Sequence, residues 1–218
     1  MSTERSNSSG RQSRAPVQAR SQRRIEAALA AAEALLVELG ADKISIPEIA
    51  ARANVPRTAI YPYFPDKYAL FAHLAEIQFG RVADAIAAAA GQAGEADWRE
   101  LVRIMVDAVA DFYDAHEVAA ILLLTGPFGR ADGAAHVEKD RMLADIFRAR
   151  LGFDRDASRD AVGAPDRVGL AIQIAFACLR WGYVQDGALS SAIRAEAVRA
   201  VIAYIAPFVP GDPVDGPS

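Results

Sequence analysis

Apolar side chains recur along this chain at the spacing of amphipathic helices. Between residues 20 and 39 they fall at positions i, i+3, i+4 and i+7, which places them on one helical face. Gly40 follows, at the position where a left-handed residue ends a helix. No segment alternates convincingly as a strand does, so the pattern predicts an all-α fold of about nine helices. The later long helices are predicted at 67–90, 98–114, 118–124, 134–151, 166–185 and 190–208.

Two short helices are predicted between the first long helix and the second. Ser45 stands three residues before Glu48, which is typical of a capping box at the start of a helix over 46–53. Asn54 then predicts a tight turn, because asparagine tolerates positive φ better than most residues. Pro56 starts a further helix that is expected to reach about residue 64, where the next proline breaks it.

The composition is that of an ordinary globular protein, with 52% hydrophobic and 24% charged residues. One cysteine, Cys178, excludes a disulfide within the chain and makes a cysteine metal site improbable. Residues 1–24 lack the apolar core of a secretory signal, and the apolar run 168–179 is too short to span a bilayer. We therefore expect a cytoplasmic protein without a membrane segment.

Charge is distributed unevenly along the chain. The net charge of −4 argues by itself against a nucleic-acid partner. Residues 1–70, however, carry ten basic and seven acidic side chains, and the remainder is acidic. This asymmetry is expected when only one end of a protein faces phosphates. The Ser-, Arg- and Gln-rich segment 1–19 is predicted to be disordered, either as a solubilising leader or as a basic arm for phosphates.

Residue patterns typical of enzymes are absent or weak. The three histidines lie on separate segments without the spacing of metal ligands, and neither a phosphate-binding glycine loop nor a nucleophile elbow occurs. Asp107, Asp111 and Asp114 recur at helical spacing, which fits a solvated acidic face better than a metal site. The sequence therefore predicts no enzymatic activity, no metal and no cofactor.

The segment 46–64 has the dimensions of a helix-turn-helix. In that motif the first helix crosses the phosphate backbone, and the second presents its N-terminal side chains to base edges in the major groove. Ala50, Val55 and Ile60 supply small and branched apolar contacts that would set the angle between the two helices.

The stretch from Ser45 to Leu70 resembles the DNA-binding domain of the tetracycline-repressor-like (TetR) regulators. That family combines a capping Ser or Thr, an Ile-Ala pair, a turn with Val, and an aromatic run followed by Lys and Leu. The matching residues are Ser45, Ile49, Ala50, Val55, Ile60, Tyr61, Tyr63, Phe64, Lys67 and Leu70.

The resemblance implies roles for individual residues. Arg57 and Thr58 would face bases, and an arginine there can pair with guanine through two hydrogen bonds. The two tyrosines would contact the sugar-phosphate backbone unless they are partly core, and the lysine would bind a phosphate unless it is merely solvated. The DNA-binding residues expected on this basis are Ser45, Arg57, Thr58, Tyr61, Pro62, Tyr63 and Lys67.

Three residues depart from the family pattern. Ala59 lacks a hydroxyl often found there, which puts one phosphate contact in doubt. Pro56 replaces a serine that would cap the recognition helix. Pro62 has no N–H and can shorten that helix, although its ring could contact a thymine methyl.

The family layout implies four parts: a disordered tail 1–19, a DNA-binding domain 20–66, a helical domain 67–208 and a tail 209–218. The helical domain would form a homodimer, bind an unidentified small-molecule effector and release a palindromic operator by a population shift. The candidate pocket residues are Phe79, Met105, Phe112, Leu123, Thr125, Phe128, Phe147, Gln173 and Phe176. The candidate dimer residues are Ala171, Ala175, Trp181, Gly182, Tyr183, Val198, Ile202 and Ile205.

Two functions remain open at this point. The first is a ligand-responsive DNA-binding regulator, expected to be a repressor. The second is a helical small-molecule-binding protein or enzyme that has kept the layout and lost DNA binding. The short stretch from Ser45 to Leu70 is the feature that favours the first.

Overall fold

The computed structural model describes residues 14–126, 144–145, 147–148 and 166–209. All regular structure within these ranges is helical, which confirms the predicted all-α class. The predicted helix 134–151 falls outside the described residues except at four helical positions. The α-helices are α1 Arg14–Leu39, α2 Ile46–Ala53, α3 Lys67–Gln92, α4 Trp98–Ala115, α5 Glu117–Leu124, α6 Arg167–Asp186 and α7 Ser191–Ile205.

Helix α1 begins at Arg14, earlier than the predicted start at residue 20. The expectation of disorder as far as residue 19 is therefore wrong for residues 14–19. Pro16 lies in the first turn, where a backbone N–H has no acceptor within the helix, so the proline does not interrupt it. The residues around it, mainly Ala, Gln and Arg, are good helix formers.

Local signals set the ends of α1 and α2 as predicted. Gly40 follows α1 with φ 76°, and Asn54 ends α2 in the left-handed region at φ 54°. The hydroxyl of Ser45 accepts the N–H of Glu48 at 3.5 Å and donates to the Glu48 carboxylate at 2.8 Å. These contacts satisfy polar groups that a helix start would otherwise leave unpaired.

The predicted second helix over 56–64 is wrong. The structure has a 3-10 turn at Arg57–Ala59 followed by further turns. The N–H groups of Ile60 and Tyr61 both donate to the Arg57 carbonyl, at 3.0 and 3.2 Å. Pro62 ends the regular pattern because it has no N–H to give to residue 58 and its ring clashes with that carbonyl in an α-helix.

Contacts divide the chain into two units, Met1–Ala72 and His73–Ser218, with the division falling inside α3. In the first unit α1 packs on α2, and both helices contribute buried apolar side chains. Arg52 of α2 also forms a two-bond ion pair with Glu38 of α1, at 2.6 and 2.8 Å. The core of this unit includes Ala28, Leu36, Ile49, Ile60, Leu70 and Phe71.

The second unit is a helical bundle in which α6 packs along α7 and α4 packs against α7. Asp166 caps α6 by accepting the N–H of Gly169 at 3.1 Å, and Gly187 ends it at φ 69°. Arg194 on α7 donates to Asp111 and Asp114 on α4, at 2.5 and 2.6 Å. The bundle core includes Val82, Val102, Ala110, Tyr113, Leu179, Val201 and Ile205.

Candidate nucleic-acid interface and effector cavity

The segment from Arg57 to Tyr63 presents a basic and aromatic surface. Arg57 and Thr58 are exposed on the 3-10 turn, and the rings of Tyr61 and Tyr63 are 42% and 54% exposed. Ile60, which lies in sequence between these two pairs of residues, is completely buried and anchors the segment to the core. Both tyrosines are thus available to contact a sugar-phosphate backbone, rather than being part of the core.

A hydrogen bond joins this segment to α1. The hydroxyl groups of Tyr63 and Ser21 lie 2.9 Å apart, across 42 residues of sequence. Because a segment without regular helical bonding is held by few contacts, this bond limits the positions that the Tyr63 ring can take. Sequence periodicity could not reveal it, since Ser21 stands in a polar stretch with no motif of its own.

Lys67 has partners that the sequence did not suggest. Its Nζ donates to the carbonyl oxygens of Ala41 and Asp42, at 3.0 and 3.2 Å, and lies 5.4 Å from the centre of the Tyr68 ring. The side chain thus joins the α1–α2 connection to the start of α3. An ammonium group has three donors, so one remains for the phosphate contact that stays a prediction.

The polar groups of Ser45 and Arg52 also form hydrogen bonds within the first unit. The Ser45 hydroxyl is engaged by Glu48 as a cap, and its predicted phosphate contact stays a prediction. The hydrogen bonds from Arg52 lower the pKa of the Glu38 carboxyl, so this pair is charged at neutral pH. Arg57 and the two tyrosines are therefore the more accessible DNA-binding candidates.

An apolar cavity of about 50 Å³ lies in the second unit. Its described walls come from α3, α4, α6, α7 and Phe147, and the described residues that line it are all apolar. Three of the predicted pocket residues, Met105, Phe147 and Phe176, are among the lining residues. The others that line it include Ile86, Val109, Ile172, Leu179 and Val201.

The remaining pocket candidates that the structure describes do not line this cavity. Phe79 is buried in the bundle core, and Phe112 and Leu123 pack against that core. The two polar candidates, Thr125 and Gln173, are exposed, and the Thr125 hydroxyl donates to the Ile121 carbonyl at 2.9 Å. Both are polar residues within apolar stretches of sequence, but both lie on the outward side of the chain. Phe128 lies outside the described residues.

Sequence reasoning missed one polar group close to the cavity wall. Tyr113 is 1% exposed, and its hydroxyl finds no hydrogen-bond partner among the residues that the structure describes. Its ring packs edge-on against Phe176, which lines the cavity, with ring centres 6.4 Å apart. Burial raises the pKa of this hydroxyl well above its usual range, so it is a neutral donor. The signal in the sequence was a tyrosine on the same stripe as Val109, one turn further on.

The aspartates that recur at helical spacing on α4 form ion pairs with arginines. Asp107 pairs with Arg103 at 2.9 Å, while Asp111 and Asp114 both bind Arg194. In the part of the chain that the structure describes, no group of His, Cys, Asp and Glu could hold a metal ion. Likewise, none of the described helices is long and apolar enough to cross a membrane.

One face of α6 exposes large apolar side chains. Trp181 and Val184 are 62% and 59% exposed, and Leu170 lies on the same face at 39%. Three of the predicted dimer residues, Ala171, Gly182 and Ile205, are instead buried within their own chain and have no surface to offer a partner. Small residues favour close helix packing, and Gly182 packs against Ile193 on α7 of the same chain. Ala175, Tyr183, Val198 and Ile202 are half-buried against the bundle core.

The first unit matches a known protein family. Residues 28–74 match the family model described as bacterial regulatory proteins, tetR family. The match contains α2, the Arg57–Tyr63 segment and Lys67. No curated protein matches the chain.

Solved structures of similar fold cover most of the chain. A TetR-family transcriptional regulator from Streptomyces coelicolor has a TM-score of 0.66 and 21% identity, over 85% of this chain and 99% of that one. A putative TetR-family transcriptional regulator from Syntrophomonas wolfei has a TM-score of 0.59 and 16% identity, over 89% of this chain and 99% of that one. The fatty acid degradation regulator FadR from Bacillus halodurans has a TM-score of 0.53 and 15% identity, over 84% of this chain and 94% of that one. At such identities the likeness concerns the fold.

Proposed function

We propose that this chain, whose residues 28–74 match the family model of the tetR bacterial regulatory proteins, is a repressor that binds a palindromic operator as a homodimer and is released by a small molecule. It would act in the cytoplasm, where bacterial DNA lies, and would catalyse no reaction. The observation that carries this proposal is the exposed segment from Arg57 to Tyr63, anchored by buried Ile60.

Arg57 is the proposed base-reading residue. It is exposed at the start of the segment, where an arginine can donate two hydrogen bonds to guanine O6 and N7 in the major groove. Thr58 beside it can contact either a base edge or a thymine methyl. Tyr61 and Tyr63 would hold the segment in register by donating hydroxyls to phosphates. Because no regular helix runs through 57–63, fewer side chains would enter the groove than a full recognition helix presents.

The exposed face of α6 is the proposed dimer contact. Aromatic residues are enriched at interfaces, and Trp181 supplies the largest exposed apolar surface on the face defined by Leu170, Trp181 and Val184. A two-fold axis through this face would give two copies of the reading segment. Spacing them by one DNA turn, ~34–36 Å, would match the half-sites of a palindrome.

The apolar cavity is the proposed effector site. Its volume of about 50 Å³ is smaller than the ~150 Å³ that accommodates benzene in an engineered protein cavity. An effector of ordinary size would therefore have to displace lining side chains such as Phe147 or Phe176. A ligand that binds only an expanded state shifts the population towards that state, which is the basis for release from DNA.

Selection of bound duplexes from a random pool tests this function. The proposal predicts enrichment of a two-fold symmetric site with half-site centres ~10–10.5 base pairs apart. Small apolar molecules would then be screened for release of the selected duplex. If no sequence is enriched while the chain converts or carries a small molecule, the non-DNA-binding alternative replaces this proposal.

A further inference from the structure

The start of α1 carries positive charge that is not neutralised by its own helix. Arg20 and Arg24 are exposed and stand four residues apart, so they are neighbours of like charge. Neither has an ion-pair partner among the residues that the structure describes. Like charges at this spacing repel each other and destabilise a helix, and an anion bound beside them would relieve that repulsion.

Ser21 relates these arginines to the proposed reading segment. Its hydroxyl is bonded to the Tyr63 hydroxyl at 2.9 Å, so this side of α1 lies against the segment that follows Arg57. With about 100° of rotation per residue, Arg24 lies about 60° and Arg20 about 100° from Ser21, both in the same sense. The two side chains therefore border the Ser21–Tyr63 contact along one side of the helix.

The opposite side of α1 has a different character. Gln22 and Glu26 lie about 100° and 140° from Ser21 in the other sense, and the Gln22 amide donates to the Glu26 carboxylate at 3.1 Å. Next to the Ser21–Tyr63 contact, the first turns of α1 thus carry two arginines on one side and the Gln22–Glu26 pair on the other, while a third arginine, Arg23, lies farther round the helix. Since duplex DNA presents a regular row of phosphates, only the basic side is complementary to it.

We propose that Arg20 and Arg24 bind phosphates of the duplex next to the part that the 57–63 segment contacts. This inference rests on the proposed function, because it concerns the same DNA. The two arginines extend the contact from the reading segment onto α1, and they carry no sequence information. A contact of this kind sets affinity and salt dependence equally for all sequences.

The test compares three proteins on a random-sequence duplex of 30 base pairs: the parent, an Arg20→Gln/Arg24→Gln double variant and an Arg23→Gln control. Arg23 belongs to the same turn and lies about 160° from Ser21 in the same sense as Arg20 and Arg24, which makes it the arginine of the three farthest from the Ser21–Tyr63 contact. Glutamine keeps helix propensity, so circular dichroism and thermal unfolding should match the parent. Dissociation constants are measured at several KCl concentrations from low salt upward.

The proposal predicts that the double variant lowers the slope of log K against log[KCl] by about 1.8 for each bound protomer, at ~0.9 per phosphate contact. The Arg23→Gln slope should equal that of the parent. An unchanged slope in the double variant, or an equal loss in the control for its single charge, would overturn the proposal while leaving the proposed function standing. If the parent binds neither this duplex nor any selected one, the proposed function fails as well.

Discussion

A single hydrogen atom at position 182 allows α6 and α7 to approach each other. A Cβ at Gly182 would lie 2.6 Å from Cγ1 of Ile193, a branched side chain in the first turn of α7. At Gly80, on α3, an added Cβ would meet no atom of the described residues within 4 Å. Both glycines are helical, so the two positions differ in space and not in backbone conformation.

Gly182→Ala should therefore destabilise the protein, while Gly80→Ala should stabilise it. Overpacking costs ~1–3 kcal/mol, whereas replacing a helical glycine by alanine in open space contributes ~0.5–1 kcal/mol. Urea denaturation followed by circular dichroism measures both free energies of unfolding. A Gly182→Ala variant as stable as Gly80→Ala would show that α6 and α7 are not packed this closely.

At the scale of elements, local signals were predictable and competing signals were not. The cap at Ser45, the turn at Asn54 and the glycine after α1 depend on neighbouring residues, and all three are found as expected. The segment after Pro56 carried two opposing signals, a family pattern for a helix and a proline at 62. The proline prevailed because it removes a backbone donor and clashes with the preceding turn.

Contacts distant in sequence could not be predicted from it. The Lys67 ammonium binds backbone carbonyls of residues 41 and 42, and every residue has such carbonyls, so no pattern marks them. Gly182 does lie where two helices approach closely, and Ala171 is buried, but small residues do not indicate whether the neighbour belongs to the same chain or to a second copy. The hydrogen bond between the Tyr63 and Ser21 hydroxyls likewise could not be predicted, because the two residues are 42 positions apart and no motif links them.

The start of α6 should be sensitive to acid. Burial raises the pKa of Asp166, but its bonds to Arg148 and to the Gly169 N–H outweigh this, and the pKa is lowered from 3.8. The unfolded chain therefore binds this proton more readily than the folded one. The resulting stability is present above about pH 4 and is lost as pH falls through the folded-state pKa.

Asp166→Asn should remove this part of the pH dependence, because asparagine caps a helix without a titrating charge. At pH 7 the variant should be less stable, by less than the ~3–5 kcal/mol of a fully buried pair, since Arg148 keeps Asp145 at 2.7 Å. Urea denaturation of parent and variant between pH 2.5 and 6, each at about half-unit steps, compares the two profiles. Profiles that fall in parallel would contradict the role given to Asp166.

For the whole molecule, the exposed face of α6 decides whether two copies associate. Trp181→Glu places a charge where the proposal has an apolar contact, so it should convert a dimer into a folded monomer and weaken operator binding. Tyr68→Glu is the control for the mass measurement only, because Tyr68 is a similarly exposed aromatic residue outside α6 but its ring lies beside Lys67, a DNA-binding candidate. Sedimentation equilibrium measures the solution mass of each variant. If the Trp181→Glu protein remains a dimer, the dimer interface does not include this face of α6.

DNA reading by the segment from Arg57 to Tyr63 is the central claim, and the affinity of Arg57→Ala for a selected operator tests it most directly. The variant should lose ~1–3 kcal/mol, about 5- to 160-fold, on the operator and much less on random duplex. Arg99→Ala, in the second unit, should bind both duplexes as the parent does. Equal affinity of Arg57→Ala and the parent for the operator would contradict the account.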